Sequence, residues 1–321
     1  MDYLEYYGFH QEPFSNAPVS RFFYDSAQHS EALVRLTYAL DKMKGLAVLV
    51  GDIGAGKTTL ARRLLDELDE SVFEAALLVI IHRDITTDWL LRRLALQLGV
   101  ESPSEEKLSL LGQLYDRLVQ IHESGKKAVV LIDEAQMLES RELMEEFRGL
   151  LNLEVPDRKL LSFVFFGLPN IEDNLKKDPP LEQRVALKVR LDPFDRQSTD
   201  AYIRHRVRTA GGDPGLFAAE AVSAIHGASG GSPRLINTVC DNLLLEGALS
   251  RRDVIGPDLV RRVAHNLGLP AEGSDRENGS LPALGEDEPL WRGTPESASS
   301  DTTTAAALEE IDRVLASLGK L

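Results

Sequence analysis

A single cysteine, Cys240, occurs among the 321 residues. That excludes a disulfide framework and a cysteine-rich zinc site, and it fits a reducing compartment. Positive charge is also scarce. Lys and Arg number 36 against 51 Asp and Glu, a formal net charge of −15. Bulk attraction therefore does not hold the chain to DNA or anionic lipid, although Arg92-Arg93, Arg251-Arg252 and Arg261-Arg262 can form local basic patches. No run approaches the roughly 18 apolar residues of a spanning helix. The opening Met1-Asp2-Tyr3-Leu4-Glu5 has neither the basic nor the apolar region of a secretion signal. No repeat of solenoid length is visible. These absences predict a cytoplasmic chain, brought to the periphery of the inner membrane only by a partner.

A hydrophobic share of 43% and a charged share of 27% are those of an ordinary globule with a real core. Aromatic residues crowd the first 25 positions, from Tyr6-Tyr7-Gly8-Phe9 to Phe22-Phe23-Tyr24, and are expected to pack against the first domain. Leu33, Leu36 and Leu40 share one face of a helix predicted over Ser26 to Met43. Five apolar runs follow: Leu46 to Val50, Ala76 to Ile81, Ala128 to Ile132, Leu161 to Phe166, and Val185 to Leu191. Helical segments lie between most of them. The first, third and fourth are nearly continuous, as strands covered on both faces must be, whereas Lys188 and Arg190 mark the fifth as an exposed or edge strand.

The fold class expected is α/β, a five-stranded parallel sheet with helices on both sides, followed by a small all-helical domain. The divisions expected are 1–194 for the α/β domain with its aromatic segment and 195–267 for the helical domain. An acidic linker over 268–304 and a short amphipathic helix over 305–321 follow. The last carries Leu308, Ile311, Leu315 and Leu318 on one face.

Chemistry concentrates in two places. Gly51-Asp52-Ile53-Gly54-Ala55-Gly56-Lys57-Thr58 is a complete phosphate-loop pattern, directly after a strand and before a helix, with Thr59 next in line. Its glycines let amides turn inward around a β-phosphate, and the helix N-terminus adds its positive end. Lys57 brings a cation to the β- and γ-phosphates, and the Thr58 hydroxyl can ligate Mg²⁺. The second place is Ala128-Val129-Val130-Leu131-Ile132-Asp133-Glu134, a buried strand ending in two acids at the ligand edge of the sheet. Asp133 would hold the magnesium, and Glu134 would activate the attacking water. A solvated strand end, or Glu134 as a helix cap, is the plain alternative. The pairing of both motifs points to ATP hydrolysis with Mg²⁺. The Asn-Lys-x-Asp sequence that reads guanine is absent.

With these residues in view, the chain resembles the AAA+ ATPases of the ExeA/GspA type from general secretion systems. It is similar to ATPases of pilus and exopolysaccharide clusters, and more distantly to transposition helpers. The opening aromatic motif, the phosphate loop, Leu131-Ile132-Asp133-Glu134-Ala135-Gln136, Ala201 to Arg206, and Gly230-Gly231-Ser232-Pro233-Arg234-Leu235-Ile236-Asn237 carry the resemblance over about residues 1–265. It implies an AAA+ phosphate-loop domain with a helical lid, ATP between them, and hydrolysis across subunit boundaries in a homo-oligomeric ring or filament. Arg234 then fits the lid arginine that senses the γ-phosphate, with a plain surface arginine as the alternative. Arg184 fits the arginine supplied to a neighbour's site, with Arg148 and Arg190 as competitors. Gln136 is implied near the water network or the next subunit.

One departure matters. Leu168 stands where the family carries a polar sensor, and leucine has neither donor nor acceptor. The expectation is slow turnover, unless Asn170 takes the role through a shifted turn. The partner implied is an envelope apparatus for secretion, pili or polysaccharide export, reached through the C-terminal helix. A DNA-associated ATPase and a nucleotide-gated scaffold stay open as alternatives, DNA being the less favoured partner.

Overall fold

The computed structural model describes residues 2–17, 19–156 and 158–270. Helix α1 (Tyr3–Tyr7) and a 3-10 turn (Ser20–Phe22) precede α2 (Ala27–Asp41), whose first turn is capped by the Ser26 side chain accepting from the His29 amide. Next come β1 (Leu46–Gly51), α3 (Lys57–Glu67), β2 (Phe73–Val79), α4 (Thr87–Gln97), α5 (Lys107–Glu123), β3 (Lys127–Asp133) and α6 (Arg141–Leu150). Two-residue strands β4 (Glu154–Val155) and β5 (Arg158–Lys159) form a hairpin before β6 (Leu161–Gly167). Short helices α7 (Ile171–Leu175) and α8 (Pro179–Glu182) lead to β7 (Val185–Leu191). The remainder is helical: α9 (Arg196–Thr209), α10 (Ala219–Ser229), α11 (Pro233–Leu249) and α12 (Pro257–Asn266).

The main sheet runs β2-β3-β6-β1-β7, all parallel. Alternation along each strand divides its side chains between two cores. Val48 and Val50 of β1, Val130 and Ile132 of β3, and Phe163 and Phe165 of β6 meet α4, α5 and α6 on one face. Ala47, Leu49, Val129, Leu131, Val164 and Phe166 meet α2 and α3 on the other. Phe147 of α6 stacks edge-on against Phe163 and Phe165, with centroids 5.1 and 4.9 Å away. Each such buried side chain contributes about 1.5–3 kcal/mol relative to exposure. Because every strand is parallel, the ends of β1, β3 and β6 arrive together at one edge, carrying the phosphate loop, the two acids and Leu168.

Two expectations are corrected. Of the aromatic N-terminal segment, Phe23 packs against the sheet domain as expected, but most of its rings do not. Phe9, Phe14 and Phe22 are buried in a third core with Tyr202, Phe217, Ile236 and Leu243 of the helical region. Tyr3 donates to Asp241 Oδ1 at 2.8 Å, and Phe14 stacks on Phe217. The helices leave an apolar face that the first residues of the chain cover. The second correction concerns β2, which begins at Phe73 rather than Ala76 and stops at Val79, leaving Ile81 51% exposed. As an edge strand it buries only Phe73, Ala76 and Leu78, so its apolar run is a poor guide to its ends. The hairpin β4–β5 has no expectation to match; strands of two residues are too short for any periodicity to register. The linker and terminal helix expected from residue 271 onward lie outside the described residues.

Candidate nucleotide site

At the end of β1 the chain turns through Gly54 and Gly56, with φ of +80° and +95°. These values strain any residue bearing a Cβ. Helix α3 begins at once, with Lys57 in its first turn, so its free amides open onto the loop. Lys57 is only 7% exposed, and its Nζ donates to the carbonyls of Gly51 (2.8 Å) and Asp52 (3.0 Å). Burial holds its pKa below the ordinary value, while the nearby carboxylates of Glu134, Asp133 and Asp52 oppose that shift.

Asp133 ends β3 and is 1% exposed. One oxygen, Oδ1, accepts from the Glu134 amide at 3.0 Å; Oδ2 is buried without a hydrogen-bond partner. Burial pushes its pKa up, opposed first by the adjacent Thr58 hydroxyl. A buried carboxylate oxygen with an unused lone pair beside a threonine hydroxyl suits a hard divalent cation such as Mg²⁺. Such an ion would neutralise charge on phosphate oxygens when bound. Glu134 adopts φ +55° and ψ +35°, a left-handed backbone unusual for a glutamate, as the chain enters the 3-10 turn Ala135–Met137. Its carboxylate accepts from Gln136 Nε2 at 2.6 Å, and Gln136 Oε1 in turn accepts from the Leu168 amide at 3.1 Å.

The helical region closes the site from the other side. Phe194 N–H donates to Gly231 O at 2.9 Å, and a Cβ on Gly231 would overlap the Phe194 carbonyl. That contact leads the chain into α11, where Ser232 Oγ donates to Ile53 O (3.4 Å) and the Arg234 amide to Gly54 O (3.3 Å). Arg206 is buried and holds the N-terminal wall. It donates to Pro13 O at 2.6 Å, Ser15 O at 2.8 Å and the Tyr202 hydroxyl at 2.8 Å. His29 sits between the loop and Phe194, with its Nδ1 2.7 Å from Ser26 Oγ.

Together these elements enclose a cavity of about 460 Å³. Ile53, Gly54, Gly56, Lys57, Thr58, Thr59, Glu134 and Arg234 line it, whereas Gly51, Asp52, Ala55 and Asp133 do not reach its wall. Arg184 is half-buried after α8 and is outside the lining. Of its competitors, Arg148 pairs with buried Asp178 at 2.8 Å and Arg190 with Asp192 at 3.1 Å. Leu168 does line the cavity, but Asn170 is exposed and does not, so the shifted-turn substitute for a sensor is not realised.

Sequence reasoning missed His29, the wall-building role of Arg206, and Asn16, which lines the cavity and accepts from Asn237 Nδ2 at 3.0 Å; these depend on how the N-terminal segment folds over the loop, which no local pattern encodes. Cys240 is buried among the α11 side chains of the helical core. Among the described residues there is no group of three or more His, Cys, Asp and Glu side chains placed to hold a metal, and no helix long and apolar enough to cross a membrane.

Residues 40–175 match the sequence profile of a family described as AAA domain. The chain is 34% identical over 276 residues to general secretion pathway protein A of Aeromonas hydrophila, covering 85% of this chain and 50% of that protein. It thus spans half the length of that relative. Among solved structures, the Pyrobaculum aerophilum Cdc6p resembles it with a TM-score of 0.61 at 19% identity, covering 79% of this chain and 70% of that one. The Aeropyrum pernix ORC2 protein does so with a TM-score of 0.58 at 17% identity, covering 80% and 72%. A Walker-type ATPase of Pyrococcus abyssi has a TM-score of 0.56 at 19% identity, covering 79% and 77%. The chain therefore has the α/β AAA+ fold, and its AAA domain is related to that secretion-pathway protein.

Proposed function

We propose that the chain binds Mg-ATP in this cavity and hydrolyses it, working as an oligomeric motor or switch on an envelope apparatus. One observation carries the reading. Lys57, Thr58, Glu134 and Arg234 come from three separate elements and line one cavity between sheet and helices, with the unpartnered Oδ2 of Asp133 buried beside Thr58. Lys57 and Arg234 offer cations to phosphate oxygens, the loop amides cradle them, and Thr58 with Asp133 would hold the metal. Glu134 would take a proton from the attacking water. The helical region over 195–267 acts as the lid, since its α11 start bonds to the loop itself. Arg184 would complete the site of a neighbouring subunit. The relation to a secretion-pathway protein supports the envelope assignment.

The test is nucleotide binding and phosphate release for wild type and Lys57→Ala, each with and without duplex DNA. Binding lost in the variant and turnover indifferent to DNA support the proposal. Unchanged binding in Lys57→Ala overturns the site, and strong DNA stimulation moves the assignment to a DNA-associated ATPase.

A further inference from the structure

We infer that Gln136 is a positioning residue for Glu134, supplying from the turn after β3 the polar group that Leu168 fails to supply at the end of β6. The inference rests on the proposed hydrolysis.

Gln136 is 4% exposed, and both ends of its amide are used. Nε2 donates to Glu134 Oε2 at 2.6 Å, and Oε1 accepts from the Leu168 amide at 3.1 Å. The polarity of this pair is fixed by chemistry. A backbone N–H can only donate and a carboxylate can only accept, so the amide oxygen must face Leu168 and the NH₂ must face Glu134. The reverse orientation would set two donors and two acceptors against each other.

The turn that carries Gln136 is anchored independently. Asn174 Nδ2 donates to the Gln136 carbonyl at 2.9 Å, while Lys177 Nζ donates to Asn174 Oδ1 at 3.1 Å, which fixes the Asn174 amide too. Close approach to β6 depends on Gly167: a Cβ there would lie 3.3 Å from both Gln136 N and Gln136 Oε1.

Glu134 needs such a partner. Its side chain has three rotatable bonds and starts from a left-handed backbone at a cavity wall. Unrestrained, the carboxylate would spend much of its time away from any one water position. The Gln136 bond fixes one oxygen, and the other accepts no hydrogen bond among the described residues. In hydrolysis the water oxygen bonds to the γ-phosphorus as the bond from phosphorus to the ADP oxygen breaks. The water proton passes to the Glu134 carboxylate and then to solvent. Gln136 exchanges no proton; it holds the acceptor in place. Leu168 contributes through its backbone N–H, which ties the acceptor to the end of β6.

The test compares Gln136→Leu and Gln136→Glu, each in the wild-type and the Glu134→Gln background. It reads kcat, KM, nucleotide affinity, and hydrogen exchange at the Leu168 amide. Gln136→Leu removes both bonds. Gln136→Glu keeps an acceptor for Leu168 and removes the donor to Glu134, so it separates positioning from strand tethering. Both variants should lower kcat on the order of tenfold to a hundredfold. ATP affinity in Gln136→Leu should stay within about twofold, and neither variant should lower the residual rate of the Glu134→Gln protein by more than about twofold. Leu168 exchange should speed up in Gln136→Leu and stay slow in Gln136→Glu, which also reports that the variant is folded. A wild-type kcat in folded Gln136→Glu overturns the inference, as does an equal loss in both backgrounds. A wild type that binds ATP without hydrolysing it removes the proposed function and the inference together; an active wild type with an undiminished Gln136→Glu removes the inference alone.

Discussion

Gly54 and Arg234 are in contact across the cavity mouth. The Arg234 amide donates to the Gly54 carbonyl at 3.3 Å, and a Cβ added to Gly54 would lie 2.6 Å from the Arg234 Cβ. The phosphate loop and the start of α11 therefore meet with no side chain between them. Gly54→Ala should cost about 1–3 kcal/mol in backbone strain at its positive φ and also push α11 off the loop, lowering ATP affinity. Gly8→Ala is the control: its φ is +69° with nothing within 4 Å of the added Cβ, so stability should fall while affinity does not. Calorimetric titration with ATP, beside thermal unfolding, separates the two.

Arg206 closes the opposite wall with three hydrogen bonds, two of them to the carbonyls of Pro13 and Ser15. Arg206→Met keeps most of the bulk and leaves both carbonyls without that donor. A loss of about 2–4 kcal/mol in unfolding free energy is expected. Proteolysis should then cut first in the segment 10–20, and ATP affinity should fall with it. Full stability in Arg206→Met would show that water replaces the guanidinium at no cost.

Buried His29 and half-buried His205 set a pH dependence. Burial holds His29 below its ordinary value of 6.5, against the opposing Ala55 carbonyl and Asp25; burial and then Arg206 do the same to His205. Between the folded value and 6.5 the unfolded chain binds protons that the folded chain refuses. Their contribution is thus complete above 6.5 and is lost as pH falls toward the folded values. His29→Gln should flatten that acid limb in thermal unfolding scans from about pH 5 to 8. An unchanged limb in both His29→Gln and His205→Gln would assign it to the carboxylates.

Arg184 makes no ion pair among the described residues, while Arg148 and Arg190 each have a carboxylate partner. Turnover per subunit should rise steeply with protein concentration, and Arg184→Ala should abolish that rise with ATP affinity of the isolated subunit unchanged. Mixing Arg184→Ala with Lys57→Ala should restore some activity under conditions where sedimentation shows oligomers. A dead mixture of assembled proteins, with the concentration dependence of Arg184→Ala intact, points away from Arg184.

Leu168→Gln should not raise kcat by more than about twofold, because Gln136 already supplies an amide at the end of β6. A large gain would mean that Gln136 leaves the water poorly oriented.

The parts that were legible in the sequence share a property: their signal is local. The continuous apolar runs of β1, β3 and β6 reported burial on both faces, and the charged alternation of Lys188 and Arg190 reported the edge position of β7. The phosphate loop is contiguous, and its glycines encode the backbone shape that the phosphates require. What stayed hidden is relational. The aromatic residues of the first 25 positions announced burial but not which surface they bury against: for most it is the bundle of α9 to α12, and for Phe23 it is the α2–α3 side of the sheet. Gln136 was visible only as part of a motif, because its meaning lies in reaching Glu134 and Leu168 at once, 32 residues apart in the latter case. Leu168 suggested a missing function, since a sequence displays side chains and its contribution is a backbone N–H.

The most direct test of the account is the initial rate of phosphate release at saturating Mg-ATP, compared between wild type and Glu134→Gln at a concentration where both are assembled. The account predicts a loss on the order of 10² or more in the variant, the scale of a removed general base. Equal rates in the two proteins would contradict it, since Glu134 would then have no part in activating water.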